Sequence, residues 1–218
     1  MPVSAVRSFL VVASIFLLPL LVAVLLTDPF VLHVRLNAFH GPVSDTVLAA
    51  VTHLADTGTS VVLVLLMLLF RWRHFVLMGL SAGLSAALTQ TVKHVFFPDR
   101  LRPSQLVEHM PGLELVPGVE LLQGHSFPSG HATAAFSMGL ACAALVGRRG
   151  PAVLLALLAA LVGFSRIHLS QHFPVDVLVG AVIGTLTAYG AQRWLQGLDG
   201  PWAGRLDRAP LRKLRQNQ

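Results

Sequence analysis

Ser126-Phe127-Pro128-Ser129-Gly130-His131 is a polar, turn-forming hexapeptide, and it opens an apolar run that continues from Ala132 to Gly147. A helix that starts behind Pro-Ser-Gly leaves its first backbone N–H groups without intrahelical partners, so they are free to point at an anion. A histidine in the first turn of a membrane-length helix is not there for burial. Two basic clusters flank the stretch: Lys93 to Arg102 before it, and Arg166-x5-His172-x3-Asp176 after it. Together the three pieces predict one phosphate-handling site at the edge of a membrane.

The rest of the chain fits a membrane setting. Of its 218 residues, 54% are hydrophobic and only 12% charged, against about 25% charged in a soluble domain. Mean hydropathy is +0.69. The formal net charge is +6. In a soluble protein that excess would suggest nucleic acid as a partner. Here the cations sit in short loops and the tail, so they read as membrane topology and no nucleic-acid partner is expected. The single cysteine, Cys142, lies inside an apolar run. It excludes an intrachain disulfide and a cysteine-rich metal site, and reads as a small buried hydrophobe.

Ser8 to Thr27 is a charge-free run bounded by Arg7 and Asp28, long enough to span a bilayer as a helix. A signal peptide is the rival reading, but the run is long for one and no small-x-small cleavage site follows. Val43 to Ala55 predicts a short amphipathic helix at the interface, broken by Asp56-Thr57-Gly58. Further spans are predicted at 59–70, 75–92, 129–147, 151–165 and 175–192. Gly79-x3-Gly83 and Gly180-x3-Gly184 suit close helix packing. Residues 98–123 form the one long connection, with four prolines and three glutamates, and a loop of that length is usually functional. The expected architecture is an all-α membrane protein with six transmembrane helices over residues 1–198, followed by a basic, solvated cytoplasmic tail, 199–218.

Six spans put both termini on one side. Eleven of the 16 Lys and Arg residues fall at the amino end, in the Arg71/Arg73 and Arg148/Arg149 turns, and in the tail. The positive-inside rule therefore makes both termini cytoplasmic. Lys93, Arg100, Arg102 and Arg166 lie on the opposite side, against that bias, so the site is expected to face outward from the plasma membrane.

Asp176 follows Pro174 in the first turn of the last span, where a helix dipole favours an acid. A carboxylate four residues from His172 can hold one ring nitrogen and leave the other as a nucleophile. His131 can then protonate a leaving group and later activate water. Lys93, Arg102 and Arg166 supply charge for a phosphoryl transition state, helped by the Ser129 hydroxyl and the Gly130 N–H. No metal is needed where three cations already crowd the phosphate. His168, His172 and Asp176 also read as a metal stripe at i, i+4 and i+8, but Pro174 interrupts it. His168 alone reads as a packing residue.

These motifs resemble the type-2 phosphatidic acid phosphatase family, whose helical core is shared with bacterial acid phosphatases and vanadium haloperoxidases. The family pattern is Lys-x6-Arg-Pro, Pro-Ser-Gly-His and Ser-Arg-x5-His-x3-Asp. Pro128-Ser129-Gly130-His131 and Ser165-Arg166, His172 and Asp176 match it, and the match spans about Lys93 to Asp176. The first segment departs from it: Arg100 stands six residues after Lys93 but is followed by Leu101, and the Arg-Pro pair is Arg102-Pro103. Arg102 is taken as the phosphate ligand, with Arg100 as the alternative.

The resemblance implies a membrane lipid phosphatase without a cofactor. His172 would form a phosphohistidine, Asp176 would orient it, and His131 would act as acid and then base. Lys93, Arg102, Ser129, Gly130 and Arg166 would hold phosphoryl oxygens. Candidate substrates are undecaprenyl diphosphate, placed first, then phosphatidate, phosphatidylglycerol phosphate and lipid A phosphate. The alternatives are transfer of the phosphoryl group to another acceptor, or binding and transport of an anionic lipid without catalysis. Vanadate-dependent halide oxidation comes last, because the chain has no large soluble domain.

Overall fold

The computed structural model describes residues 3–198 and 201–209; Arg212, Lys213 and Arg215 of the expected basic tail lie outside them. The regular elements among the described residues are all helices, with no strand. α1 (Val3–Leu26) leads into a short α2 (Pro29–Asn37) and α3 (Pro42–Val51). A 3-10 turn (Thr52–Ala55) then leads into α4 (Thr57–Leu66). α5 (Trp72–Thr91) ends in a π-turn (Val92–Phe96). α6 (Gly130–Val146), α7 (Arg149–His168), α8 (Pro174–Gln196) and the short α9 (Pro201–Leu206) complete the chain.

α1, α5 with its π-turn, α7 and α8 are each long and apolar enough to cross a membrane. α6 has 17 residues, about 26 Å at 1.5 Å per residue. The expected span at 59–70 is a short leg. α4 has 10 residues and continues only as a single 3-10 turn. It is bent by 50° from the α3 segment before it, at Asp56. α4 carries Thr57-Gly58-Thr59 where a longer span would need apolar residues.

The core is built on α6, which packs against α5, α7 and α8. Small residues make that possible. Ala132, Ala141, Ala143, Ala144, Ala152, Ala156, Ala181 and Ala188 are all buried. Gly180 and Gly184 let α8 touch the α6 backbone: a Cβ at Gly180 would lie 2.5 Å from Ser129 O, and one at Gly184 would lie 2.2 Å from Thr133 O. Gly79 and Gly83 behave differently. A Cβ at Gly83 would meet nothing within 4 Å and one at Gly79 only Val64, at 3.9 Å. The expected close packing does not occur there, and these two glycines open a cavity instead.

At one end of the bundle the chain is tied into a polar platform. The buried face of α2 supplies His33 and Asn37. Asn37 Nδ2 donates to His168 O at 2.8 Å and to Ser170 Oγ at 3.2 Å, while its Oδ1 accepts from Glu114 N at 3.2 Å. One side chain thus pins the α7–α8 connection and the long 97–129 loop together. At the other end, the described part of the tail is docked rather than free. Arg73 donates to Asp207 at 2.8 Å and to Leu195 O at 2.8 Å, which holds α9 beside the start of α5.

Candidate active site

The three sequence motifs converge because four helix ends meet at the platform. α5 finishes there with Lys93, α6 starts there with His131, α7 finishes there with Arg166, and α8 starts there with Asp176. Ser129 N donates to Asp176 O at 2.9 Å, so the first turns of α6 and α8 are joined directly. Arg166 O accepts from the backbone N–H of Gln171 at 3.0 Å and of His172 at 3.1 Å. That closes the 166–172 loop and aims His172 back over the end of α7.

His172 is 2% exposed. Its Nδ1 lies 3.5 Å from Asp176 Oδ2, an ion-pair contact rather than a full hydrogen bond. Its Nε2 lies 3.4 Å from an Arg102 guanidinium nitrogen. A guanidinium carries only donors, so the Nε2 facing it is the unprotonated, lone-pair nitrogen. The ring proton then sits on Nδ1, facing Asp176. This is the tautomer a nucleophilic Nε2 requires. Burial pushes the His172 pKa down to about 3, with Arg102 and Arg166 adding to the effect and Asp176 opposing it. The ring is therefore neutral at pH 7.

Asp176 is fully buried, and its Oδ2 accepts from the Ser126 hydroxyl and, at 2.9 Å, from Phe173 N. Ser126 itself is fully buried, with its N–H on Arg100 O at 2.9 Å. It begins the quoted hexapeptide, but its role was not legible in the sequence, because its partner lies 50 residues away.

Arg102 is buried, with Nε donating to Gly124 O at 2.9 Å and Nη1 to Gln171 O at 2.8 Å. Burial lowers its pKa, with Asp176 opposing, yet a guanidinium stays charged. Arg100, the alternative, is exposed and lines a separate depression with Phe30 and Phe173. Arg100→Ala is therefore expected to change turnover less than about threefold, whereas Arg102→Ala should lose on the order of 10²–10³-fold. Steady-state phosphate release by the two variants checks the order; Arg100→Ala as the worse variant would exchange the two assignments.

Arg166 is buried and donates to Thr52 Oγ1 at 2.7 Å. Lys93 and Gly130 face the same cavity as Arg102, His131, Arg166 and His172. A Cβ on Gly130 would meet nothing within 4 Å, as expected for backbone beside open space. Ser129 is placed less directly. It is fully buried and caps α6, its Oγ accepting from Ala132 N at 3.4 Å. Its hydroxyl serves the helix start, and it is not among the cavity-lining residues. His131 Nε2 lies 3.0 Å from Asp56 Oδ1, a partner that in the sequence shows only as part of the Asp56-Thr57-Gly58 helix break.

The His168–His172–Asp176 stripe does not form. His168 turns away to Asp45, with Nε2 2.8 Å from Oδ1, and His40 Nδ1 lies 3.2 Å from the same oxygen. That trio is the one His/Asp group of metal-binding spacing among the described residues, and it does not include His172 or His131.

The cavity holds about 600 Å³. Its charged end is formed by Lys93, Arg102, His131, Arg166 and His172, and the rest runs between α4, α5 and α6 past Val61, Val64, Leu65, Phe75, Gly79, Gly83 and Met138. Val61, Leu65 and Leu122 of this lining are exposed.

Residues 74–199 match the PAP2 superfamily. The solved structure of Aquifex aeolicus LpxE is similar, with 26% identity, a TM-score of 0.65, and coverage of 74% of this chain and 93% of that one. The transmembrane PAP2-type phosphatidylglycerolphosphate phosphatase of Bacillus subtilis shares the fold at a TM-score of 0.65 and 23% identity, over 91% of this chain and 97% of that one. No curated protein matches the chain. With residues 74–199 covering every one of the converging motifs, the chain belongs to the PAP2 superfamily, and its fold is that of the membrane-embedded PAP2-type phosphatases.

Proposed function

We propose that this protein removes phosphate from a lipid at the outer face of a plasma membrane through a metal-free phosphohistidine intermediate. The observation that carries the reading is one continuous cavity with five cationic or imidazole side chains at one end and an apolar trough along the rest. A phosphate head group fits the first and an acyl or prenyl chain the second. A short α4, bent at Asp56, leaves the trough flanked by exposed apolar side chains, so a lipid can enter sideways from the bilayer. In this reading α1, α4, α5, α6, α7 and α8 make six passes, with both termini cytoplasmic.

The chemistry balances in two steps. The His172 Nε2 lone pair attacks phosphorus, a P–N bond forms, and the bond from phosphorus to the leaving oxygen breaks. Protonated His131 gives its proton to that oxygen. Lys93, Arg102 and Arg166 hold the equatorial oxygens, with the Gly130 N–H beside them, where charge accumulates. Water then attacks phosphorus, His131 takes its proton, the P–N bond breaks, and phosphate leaves with His172 restored. Asp176 keeps the ring proton on Nδ1 and stabilises the cationic phosphohistidine. Ser129 contributes by holding the α6 start.

The lipid is tested by phosphate release from undecaprenyl diphosphate, phosphatidate, phosphatidylglycerol phosphate and lipid A phosphate, with and without EDTA. Undecaprenyl diphosphate is expected to lead, because its hydrolysis belongs to the outer face, and EDTA should leave turnover unchanged. Activity lost to EDTA would overturn the metal-free mechanism. The trough has its own test in Gly83→Leu, which places a side chain into open space. It should raise KM for long-chain lipid about tenfold or more while leaving the hydrolysis of a short-chain phosphate ester within about twofold. Equal effects on both substrates would detach the trough from lipid binding.

A further inference from the structure

We propose that Asp56 is the positioning residue for His131, forming a second imidazole–carboxylate couple across the cavity from His172–Asp176. The inference rests on the phosphohistidine reading above. Asp56 immediately precedes α4, where an aspartate ordinarily caps the helix by accepting from its first N–H groups. Here its side chain makes no capping bond. The carboxylate is turned away from its own helix, with Oδ1 3.0 Å from His131 Nε2 and Oδ2 2.8 Å from His53 Nδ1. His53 is fixed in turn, because its carbonyl accepts from Thr59 Oγ1 at 2.8 Å. The carboxylate is thus gripped from both sides and held against the imidazole.

The same short turn does a second task for the site. Thr52, four residues before Asp56, accepts from the buried Arg166 guanidinium at 2.7 Å. The 50° break between α3 and α4 therefore builds one wall of the site, and Asp56 is the part of it that reaches His131. With Nε2 on the carboxylate, His131 keeps Nδ1 for the reaction. A carboxylate on the far nitrogen favours the protonated ring that must deliver a proton to the leaving oxygen, and fixes the ring plane while it does so.

The test is leaving-group dependence, which a merely structural role would not move. Full-length protein in detergent is assayed for kcat/KM on two short-chain phosphate esters. One has an alkyl leaving group that needs a proton, the other a p-nitrophenyl group that does not. Asp56→Asn is expected to lower kcat/KM on the alkyl ester on the order of 10–100-fold, and on the aryl ester less than threefold. Combined with His131→Ala it should cost no more than His131→Ala alone. Asp56→Ser, which supplies a good cap while removing the carboxylate, should behave like Asp56→Asn and separates catalysis from helix stability. Equal loss on both esters, additivity with His131→Ala, or an unchanged alkyl rate would overturn the proposal. His172→Ala run alongside keeps the two readings apart. If it retains activity, the phosphohistidine mechanism fails; if it is inactive while Asp56→Asn and Asp56→Ser are unaffected, only the role of Asp56 fails.

Discussion

His172→Ala is expected to abolish phosphate release, by on the order of 10⁴-fold or more, because it removes the neutral imidazole nitrogen that faces the Arg102 guanidinium, while the other imidazole of the cavity, His131, is held by Asp56. Asp176→Asn should fall between wild type and that variant, at about 10²–10⁴-fold. The fold gives a reason to expect a clean result. The asparagine oxygen can accept from Ser126 and Phe173 as Oδ2 does, and its NH₂ takes the place of Oδ1, which has no hydrogen-bond partner. What is lost, in the proposed mechanism, is the negative charge that keeps the His172 proton on Nδ1 and stabilises the ring once it carries phosphate. Thermal unfolding in detergent should stay close to wild type while turnover collapses. Full activity in Asp176→Asn would remove the orienting role. Trapping of ³²P on the protein by acid-quench should succeed in wild type and fail in His172→Ala; label retained in His172→Ala would place the covalent phosphate elsewhere.

The second large effect is expected far from any charged group. Gly184→Ala puts a methyl 2.2 Å from Thr133 O and 3.0 Å from Ser137 N. Both neighbours are backbone atoms of α6, so no side-chain rotation relieves the clash. The helices must separate by about 1 Å to restore ordinary contact. The cost should be about 3 kcal/mol or more, read as a drop in the unfolding midpoint. Activity should fall too. α6 carries His131, and its first turn is bonded to α8 through Ser129 N and Asp176 O. A displacement of about 1 Å between catalytic groups is worth on the order of 10²-fold. Gly83→Ala is the control, because its methyl meets nothing within 4 Å. Equal stability for the two variants would mean that α6 and α8 are not in backbone contact.

The difference between those two glycine pairs shows where reading the sequence stops. Gly79-x3-Gly83 and Gly180-x3-Gly184 have the same spacing, and spacing predicts close packing for both. Only the second pair meets the backbone of another helix, because α6 lies against that face of α8, while α4 reaches Gly79 only through the Val64 side chain and leaves Gly83 open. Nothing local to residues 79–83 encodes that.

The convergence of the candidate site residues was legible for a physical reason. Pro128-Ser129-Gly130-His131 and Arg166-x5-His172-x3-Asp176 sit at helix starts and in tight connections, where side-chain direction follows from spacing within a few residues. Apolar run lengths likewise announced a helical membrane protein, because a bilayer sets the length of each span. Contacts across the bundle were another matter. Asp56 against His131, Ser126 against Asp176, Thr52 against Arg166 and Asn37 against the 168–170 connection join residues 50 to 133 positions apart. Each is a single polar side chain with no periodic signature, and its partner is set by which helix ends are brought together. The sequence by itself determined the all-helical class, the apolar runs of membrane length and the set of residues proposed to handle phosphate. The tertiary structure alone decided which carboxylate His131 faces, that Arg100 stays outside the cavity that Arg102 lines, and where the bundle is left open, since those depend on how helices of fixed length pack against one another.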